Sequence, residues 1–248
     1  MQFFNQDFEF FEENRECSYF DNESSDIRYQ FLNSCSSENY QNKLERGWRR
    51  FGKVHFVPEC RSCTKCVSIR IDVANFKFSK SQKRVLAKNR DTKISIRNPS
   101  VTIEHLELYN KYHQFMNHKK NWPYNPIDLD DYIKSYVEGE KEYAREFLYF
   151  KDNKLIGVAL VDILPKSISS IYCFYDHDYS DLSIGKFSIL FQIQIAKELK
   201  IPYIYLGYWI KDHFSMGYKK EYMPFEVLKN RAKYNQESVW EAFNEINQ

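Results

Sequence analysis

The stretch FLYFKDNKLIGVALVDILPKSISSIYCFYD, residues 147–176, consists of three apolar runs separated by two turn signals. The turn signals, D-N and P-K-S, use residue types that favour tight turns, and connections this short join antiparallel strands. The stretch therefore predicts a three-stranded antiparallel meander. Residues 183–199 follow as a helix that is apolar almost all round and hence buried, and residues 201–209, IPYIYLGYW, predict a further strand.

Two helices are predicted before this meander. From Thr102 to about Lys120 apolar residues recur three or four positions apart, as on one face of a helix. A second helix covers DLDDYIKSYVEG, residues 128–139, whose first turn is acidic and whose Gly139 favours termination. The order helix, helix, three strands, buried helix, strand resembles the core of acetyltransferase-like (GNAT-like) acyl-transfer domains. We therefore expect an α+β fold with a GNAT-like domain over residues 100–248.

The N-terminal part, residues 1–99, is predicted to be a cysteine-containing, basic subdomain. Between Lys43 and Arg97 there are 16 Lys and Arg against 4 Asp and Glu, a local balance of +12, whereas the whole chain carries +2. Aromatic residues are interleaved with these cations, a combination that suits nucleic acid. The alternative is a solvated surface whose charge is balanced in space by the acidic residues of 1–26.

Regular elements are also predicted inside this basic part. Alternating apolar and polar residues over 69–73 predict a half-buried strand. Ser79 or Ser81 can cap a short basic helix that follows, and KISIR, residues 93–97, predicts another short strand. The cysteines therefore lie directly before a strand.

Three cysteines occur at two successive C-x-x-C spacings in CRSCTKC, residues 60–66. A closed structural metal site wants four ligands, so a fourth must come from elsewhere; Cys17 is the best candidate and His55 a weaker one, while Cys35 and Cys173 lack a suitable setting. Zinc or an iron–sulfur cluster would both suit sulfur ligands, and the alternative is reduced thiols that merely pack. The candidate metal ligands are Cys17, Cys60, Cys63 and Cys66.

We expect a cytoplasmic protein without membrane association. The N-terminal sequence MQFFNQDFEFFEENRE lacks the basic and apolar regions of a secretory signal. Apolar runs elsewhere stop short of the roughly 18 residues that a membrane span needs. With 7 glycines in the chain, the glycine-rich fingerprints of ATP- and NAD-binding loops are absent as well.

Five motifs carry a resemblance to a known family. They are C17-S-Y, the run GWRRFGKVHFVPECRSCTKCVSIRIDVANFKFSKSQKRVLAKN (47–89), SSIYCFYD (169–176), LSIGKFSILFQI (182–193) and YLGYWIKDHFSMGYKKEYMP (205–224). In this order, over about residues 15–230, they closely resemble the N-end-rule aminoacyl-tRNA-protein transferases, and within them the bacterial aspartate/glutamate leucyltransferases. The resemblance implies an enzyme that moves leucine from leucyl-tRNA to the N-terminal Asp or Glu of another protein and so marks that protein for degradation. It also implies that the four cysteines match positions with which arginyl relatives hold a metal or cluster.

Site residues follow from the chemistry that the resemblance implies. The nucleophile is the acceptor's own α-amine, so the enzyme supplies alignment, oxyanion donors and a proton route, and no cofactor is required for the chemistry. Cations are needed for the acceptor carboxylate and for tRNA: Arg70 is favoured for the first, and Lys83 with Arg84 for the second. The candidate catalytic residues are Tyr172, Tyr208 and Lys219, and the candidate substrate-binding residues are Arg49, Arg50, Arg70, Lys83, Arg84 and Tyr175.

Three alternative functions are weighed. The first is an arginyl-tRNA-protein transferase with the same acceptors, because close relatives differ in the amino acid that they transfer. A non-catalytic zinc-knuckle RNA-binding protein would explain the basic block but leaves the second half of the chain without a task. An acetyl-CoA-dependent acetyltransferase is disfavoured, because YSDLSIGKF, residues 179–187, supplies a single glycine where a pyrophosphate cradle usually needs several.

Overall fold

The structure is a computed structural model that describes residues 6–244. Within that range the chain folds into a four-stranded sheet and an eight-stranded sheet with helices on the larger one. The predicted α+β class is confirmed. Residues 1–5 and 245–248, which belong to the two predicted domain spans, lie outside the described residues.

The small sheet is formed by strands within residues 8–58. Its strands have the order β1-β2-β4-β3, and each neighbouring pair is antiparallel. The bounds are β1 Phe8–Glu16, β2 Ser24–Phe31, α1 Ser37–Glu45, β3 Arg49–Phe51 and β4 Val54–Pro58. The hydroxyl of Ser36 caps α1 by accepting a hydrogen bond from the backbone N–H of Asn39.

The large sheet has the strand order β12-β11-β5-β10-β9-β8-β7-β6. All of its neighbouring pairs are antiparallel except β9 and β10, which are parallel. The bounds are β5 Val67–Asp72, α2 Lys80–Lys88, β6 Lys93–Arg97, α3 Ile103–Lys120, α4 Leu129–Tyr132, β7 Ala144–Lys151, β8 Lys154–Ile163, β9 Ser167–Tyr175, α5 Ile184–Glu198, β10 Tyr203–Trp209, β11 Phe225–Leu228 and β12 Trp240–Ala242. Two 3-10 segments, His177–Leu182 and Gly217–Tyr222, follow β9 and β10.

The predicted meander and the predicted buried helix are confirmed as β7, β8, β9 and α5. Phe147 and Tyr149 of β7 belong to the core cluster that contains α5, whereas Leu148 between them packs in a second cluster with α3. Successive side chains of a strand point to opposite faces, so α5 and α3 cover opposite faces of the sheet. Burial on both faces explains why this stretch reads as nearly continuous apolar sequence.

The helix predicted over residues 128–139 is wrong in its form. The chain makes one short α-helix, α4, and then a π-helical turn over Ile133–Val137. Such turns occur frequently at functional sites. The helix predicted after Ser79 forms as α2, and Ser79 is its cap: its hydroxyl accepts from the N–H of Gln82, whose side chain accepts from the N–H of Ser79.

The large sheet draws strands from both sides of residue 99, because β5 and β6 precede it and the other six strands follow it. β5 lies between β10 and β11, so it is a central strand of the sheet. The division of the chain into domains of residues 1–99 and 100–248 stays a prediction.

The pairing of β9 with β10 is short. Tyr203, Ile204 and Tyr205 pair with Ser167–Ser169, and after these three pairs the two strands have no further pairing with each other. β9 continues to Tyr175 and β10 to Trp209. The strands therefore part in the middle of the sheet, and we call the opening between them the split.

Candidate functional site

Arg49 of the small sheet reaches the split. One of its guanidinium nitrogens, Nη2, donates a hydrogen bond to the backbone carbonyl of Ser170, the first residue of β9 after the paired segment. Its side chain is 7% exposed, and Nη1 is buried without a hydrogen-bond partner among residues 6–244. The split thus holds a buried cation with one unused donor.

Gly207 gives the guanidinium of Arg49 its room. A β-bulge interrupts β10 between Tyr205 and Gly207, and Gly207 has a φ of +77°. A Cβ at this position would lie 3.3 Å from Nε and 3.6 Å from Cζ of Arg49. Glycine is therefore favoured twice here, by the backbone conformation and by the close approach of a cation.

Tyr208 and Lys219 lie next to Arg49. The hydroxyl of Tyr208 donates to the carbonyl oxygen of Gly47 at 2.9 Å, and the ammonium group of Lys219 donates to the backbone carbonyl of Tyr208. Burial, assisted by the nearby charge of Arg49, lowers the pKa of Lys219 to about 7. Arg49 and the two predicted catalytic residues Tyr208 and Lys219 thus form one buried group at the split.

Tyr172, the third predicted catalytic residue, belongs to a separate aromatic group. Its hydroxyl lies 2.9 Å from Nε2 of His113 on α3, and its ring stacks parallel to that of Tyr136 from the π-helical turn, with ring centroids 6.0 Å apart. Burial raises the pKa of Tyr172 and lowers that of His113. The ring of Phe51 contacts both Tyr172 and Tyr136 and links this group to the small sheet.

Tyr175, predicted to bind substrate, packs where α5 begins. Its ring lies 5.2 Å from that of Tyr112, and a Cβ added to Gly185 would come within 2.9 Å of the ring. The same ring lies 4.9 Å from that of His177. These contacts give Tyr175 a packing role, while its role with substrate stays a prediction.

Arg50 and Arg70 are engaged within the protein. Arg50 makes a two-pronged ion pair with Asp162 of β8, in which Nε lies 2.9 Å from Oδ2. Arg70 lies 2.7 Å from Glu45 and 2.6 Å from Glu226, and its guanidinium stacks over the Tyr203 and Trp240 rings. The charge of each arginine is therefore already matched by carboxylates, and their roles with substrate stay predictions.

Lys83 and Arg84 are exposed on α2. The helix lies near the segments that follow the open ends of the split: the side chain of Gln82 donates to the carbonyl of Glu221, and Lys88 donates to that of Asp181. Asp181 and Glu221 belong to the two 3-10 segments after β9 and β10. The two predicted tRNA contacts thus lie beside the open end of the split.

The four predicted metal ligands lie near one another. Burial, together with the nearby Cys60, Cys17 and Cys63, raises the pKa of Cys66 to about 12. Arg231 holds the loop by donating to the carbonyls of Cys60 and Cys63 at 2.9 and 2.8 Å. In the described part of the chain, however, no three Cys, His, Asp or Glu side chains are arranged as ligands of one ion. The donors suit a soft metal chemically, but their arrangement is not that of a formed site.

Three residues of the aromatic group were missed at the sequence level. The rings of His113 and Tyr136 contact that of Tyr172, and the ring of Trp122 lies 6.2 Å from that of His113. His113 and Trp122 belong to one segment, HQFMNHKKNWPYN, which is dense in aromatic residues. That density was the available signal, but it does not reveal which strand the segment contacts.

Two family models match the chain. One, described as the N terminus of arginine-tRNA-protein transferase, covers residues 15–84, and the other, described as the C terminus, covers residues 104–229. The chain belongs to the arginine-tRNA-protein transferase family. This transferase family is the one that the five motifs resemble, so the resemblance is confirmed.

Individual members of the transferase family match over almost the whole chain. The aspartate/glutamate leucyltransferase of Helicobacter hepaticus is 46% identical over 95% of this chain and 98% of its own. That of Campylobacter jejuni subsp. jejuni is 44% identical over 91% of this chain and 95% of its own. Among solved structures, the crystal structure of FemX overlaps 74% of this chain and 64% of its own with a TM-score of 0.49 and 9% identity.

Among the described residues, no helix of the transferase is both long enough and apolar enough to cross a bilayer.

Proposed function

We propose that the protein transfers leucine from leucyl-tRNA to the α-amino group of an N-terminal Asp or Glu on an acceptor protein. The observation that carries this proposal is the 46% identity, over 95% of the chain, to a relative named aspartate/glutamate leucyltransferase. The proposed partners are leucyl-tRNA and such acceptor proteins, the added leucine serves as a degradation signal, and the proposed compartment is the cytoplasm.

The large sheet supports a GNAT-like acyl-transfer arrangement as part of this proposal. β9 and β10 pair through three residues and then part, so backbone groups of two central strands are free of each other beyond Ser169 and Tyr205. Small-molecule sites are concave and mostly apolar with a few polar groups, and an opening in the middle of a sheet can provide such a site for an acyl group. We place the leucyl ester there.

The proposed reaction has one bond-forming step. The neutral α-amine of the acceptor attacks the ester carbonyl carbon, a C–N bond forms, the C–O bond to the ribose breaks, and the ribose hydroxyl leaves with the proton that the amine gives up. An unperturbed α-amine has a pKa of about 7.7 to 8.0, so a fraction of it is neutral at pH 7. Lys219, with its pKa lowered to about 7, is our candidate for carrying that proton. Roles for Tyr172 and Tyr208 in the same step stay predictions.

We further propose that the four clustered cysteines take a structural zinc ion or an iron–sulfur cluster. Support comes from the proximity of Cys17, Cys60 and Cys63 to Cys66 and from their sulfur donors, which suit a soft metal. A bound cation would favour the thiolate forms and hold the loop. The transfer step above is independent of it.

The test uses purified full-length protein with radiolabelled aminoacyl-tRNA. Leucyl-tRNA and arginyl-tRNA are supplied separately to peptides that begin with Asp, Glu, Lys or Ala, and label in peptide is measured. We expect leucine on the Asp and Glu peptides alone.

Arginine as the donor is the second candidate, because the matching family models carry the name arginine-tRNA-protein transferase. Label from arginyl-tRNA on the same acceptors would replace leucine by arginine and leave the reaction type intact. Binding of tRNA without any transfer would overturn the proposal and favour an RNA-binding protein.

A further inference from the structure

Arg49 stands apart from the other predicted substrate cations. Arg50 and Arg70 are buried but paired with carboxylates, and Lys83 and Arg84 are exposed to solvent. Arg49 is buried, yet in the described residues no Asp or Glu lies within ion-pair distance of it. Of the five, it is the one whose charge is both desolvated and unmatched.

A desolvated and unmatched guanidinium is costly to keep. Removing a charge from water is destabilising unless a counter-charge and hydrogen bonds replace its hydration. A buried N–H donor without a hydrogen-bond partner adds to that cost. Arg49 satisfies Nη2 with the carbonyl of Ser170 and leaves Nη1 without a partner. A backbone carbonyl accepts a hydrogen bond from the guanidinium but does not neutralise its positive charge. The charge of Arg49 is therefore neutralised only when an anion binds beside it.

The position of Arg49 indicates which reactant supplies that anion. It lies where β9 and β10 part, against the backbone of Gly207 and next to Lys219, the candidate proton carrier. The acceptor's reacting amine must come to this place, and its side-chain carboxylate lies only two or three bonds from the carbon that bears the amine. A phosphate of the tRNA chain, in contrast, would bring further phosphates into a buried opening.

We propose, on the basis of the proposed function, that Arg49 recognises the acidic side chain of the acceptor's N-terminal residue. Its buried Nη1 donates to the carboxylate, and the two charges neutralise each other away from water. An N-terminal Asn or Gln has nearly the same shape as Asp or Glu but no charge, so it leaves the guanidinium buried and unmatched. Discrimination by such an unpaired group is far stronger than discrimination by size.

One consequence concerns entry. Because Nη1 is buried, an acceptor residue must open this edge of the split as it binds. Acceptors that bring a carboxylate recover the energy of that opening, and neutral ones do not.

The test compares Asp- with Asn-initiated and Glu- with Gln-initiated peptides at saturating leucyl-tRNA. In Arg49→Met we expect kcat/KM for the acidic peptides to fall by at least about 30-fold, the range for loss of one buried charge partner. The residual rate on the Asn and Gln peptides should change by less than about threefold. Arg49→Lys keeps the positive charge but loses the two parallel N–H donors of the guanidinium, so it should retain part of the Asp-over-Asn preference. This variant also tests the inference if Arg49→Met does not fold. The matched control Arg28→Lys, at an arginine of the small sheet already paired with Glu9 and Glu59, should keep the wild-type preference ratio.

Two results would overturn the inference. If Arg49→Met and Arg49→Lys slow acidic and neutral acceptors by the same factor, the residue acts on the ester or on folding and not on the carboxylate. If they raise KM for leucyl-tRNA while the Asp-over-Asn ratio stays at the wild-type value, the anion is a tRNA phosphate. Absence of transfer by wild-type protein to any acceptor would instead contradict the proposed function, so the two failures are distinguishable.

Discussion

The guanidinium of Arg50 and the carboxylate of Asp162 form a two-pronged ion pair between the small sheet and the large one, with side-chain exposures of 5% and 0%. Arg50 also donates to the carbonyl of Gly52 at 2.8 Å. Removing one partner leaves an uncompensated buried charge, which costs about 3 to 5 kcal/mol. We therefore expect Arg50→Met and Asp162→Leu each to lower the free energy of unfolding in urea by this amount.

The double variant Arg50→Met/Asp162→Leu should recover most of that loss, because two apolar side chains replace a pair whose desolvation cost offset its attraction. Glu221→Gln, at the largely solvated pair of Lys186 with Glu221, is the matched control and should change stability by less than about 1 kcal/mol. Additive losses in the double variant would contradict a direct coupling between the sheets through this pair.

Lys219 is expected to act through proton transfer. Lys219→Met should lower kcat by about 100-fold, a typical contribution of a positioned acid–base group, with little change in KM for leucyl-tRNA. Lys220→Met, at the exposed neighbour, is the control and should behave as wild type. Single-turnover measurements at saturating tRNA and peptide separate the chemical step from binding.

The variant Lys219→Arg distinguishes proton transfer from fixed charge. A guanidinium stays protonated at neutral pH, so it cannot accept a proton from the amine. A rate close to wild type in Lys219→Arg would show that only positive charge is needed at this position.

Lys83 and Arg84 are expected to bind the tRNA backbone from the exposed face of α2. The double variant Lys83→Ala/Arg84→Ala should raise KM for leucyl-tRNA. It should also make the slope of the logarithm of tRNA affinity against the logarithm of salt concentration shallower by about 1 to 2, as expected for the loss of two phosphate contacts. KM for the acceptor peptide should not change. Lys166→Ala, in the exposed turn between β8 and β9 at the paired end of the split, is the control; an equal effect there would mean that the tRNA contact is not localised on α2.

Apart from the helix over residues 128–139, the elements predicted from local pattern are present in the structure. The meander of residues 147–176, the helix of residues 183–199 and the cap at Ser79 depend on periodicity and on contacts three or four residues apart. Such signals are complete within a short window of sequence. The π-helical turn at Ile133–Val137 was missed because an acidic first turn and a final glycine give the same signal for an ordinary helix.

The pairing of the arginines could not be predicted in this way. The partners of Arg70 are Glu45 and Glu226, which lie 25 and 156 positions away along the chain. Arg49 and Arg50 are neighbours in sequence. Arg50 is paired with Asp162, whereas no described carboxylate pairs with Arg49. The sequence identifies the basic residues, but only the arrangement of β3, β9 and β10 separates the engaged ones from the free one.

The proposed metal site at Cys17, Cys60, Cys63 and Cys66 predicts that the purified protein contains bound metal. If the four thiols hold zinc or an iron–sulfur cluster, protein purified without oxygen should contain about one zinc ion or one cluster per chain, by elemental analysis and absorption spectroscopy. Cys63→Ser should lose it, whereas Cys35→Ser, at a buried thiol outside the cluster, should retain it. Equal metal content in both variants, or none in wild type, would mean that the thiols only pack.

The buried imidazole of His55 makes stability depend on pH. Burial, with the nearby charges of Lys43 and Arg50, lowers its pKa to about 3, whereas in the unfolded chain it is about 6.5. Between these values the unfolded chain binds the extra proton, so the stability that the neutral ring provides is present above pH 6.5 and is lost as the pH falls toward 3. From pH 7 to pH 4 we expect this loss to reach about 3 kcal/mol.

Urea unfolding of wild type and His55→Gln across this pH range isolates the effect, because glutamine keeps a polar group without titrating. The difference in stability between the two proteins should shift in favour of the variant as the pH falls, while His118→Gln, at an exposed histidine on α3, should follow wild type throughout. The ring of His55 lies edge-on to that of Tyr40, with centroids 5.4 Å apart, and both residues are buried, so a proton on His55 has no solvent to stabilise it. Parallel pH profiles for wild type and His55→Gln would mean that the imidazole is reached by water in the native state.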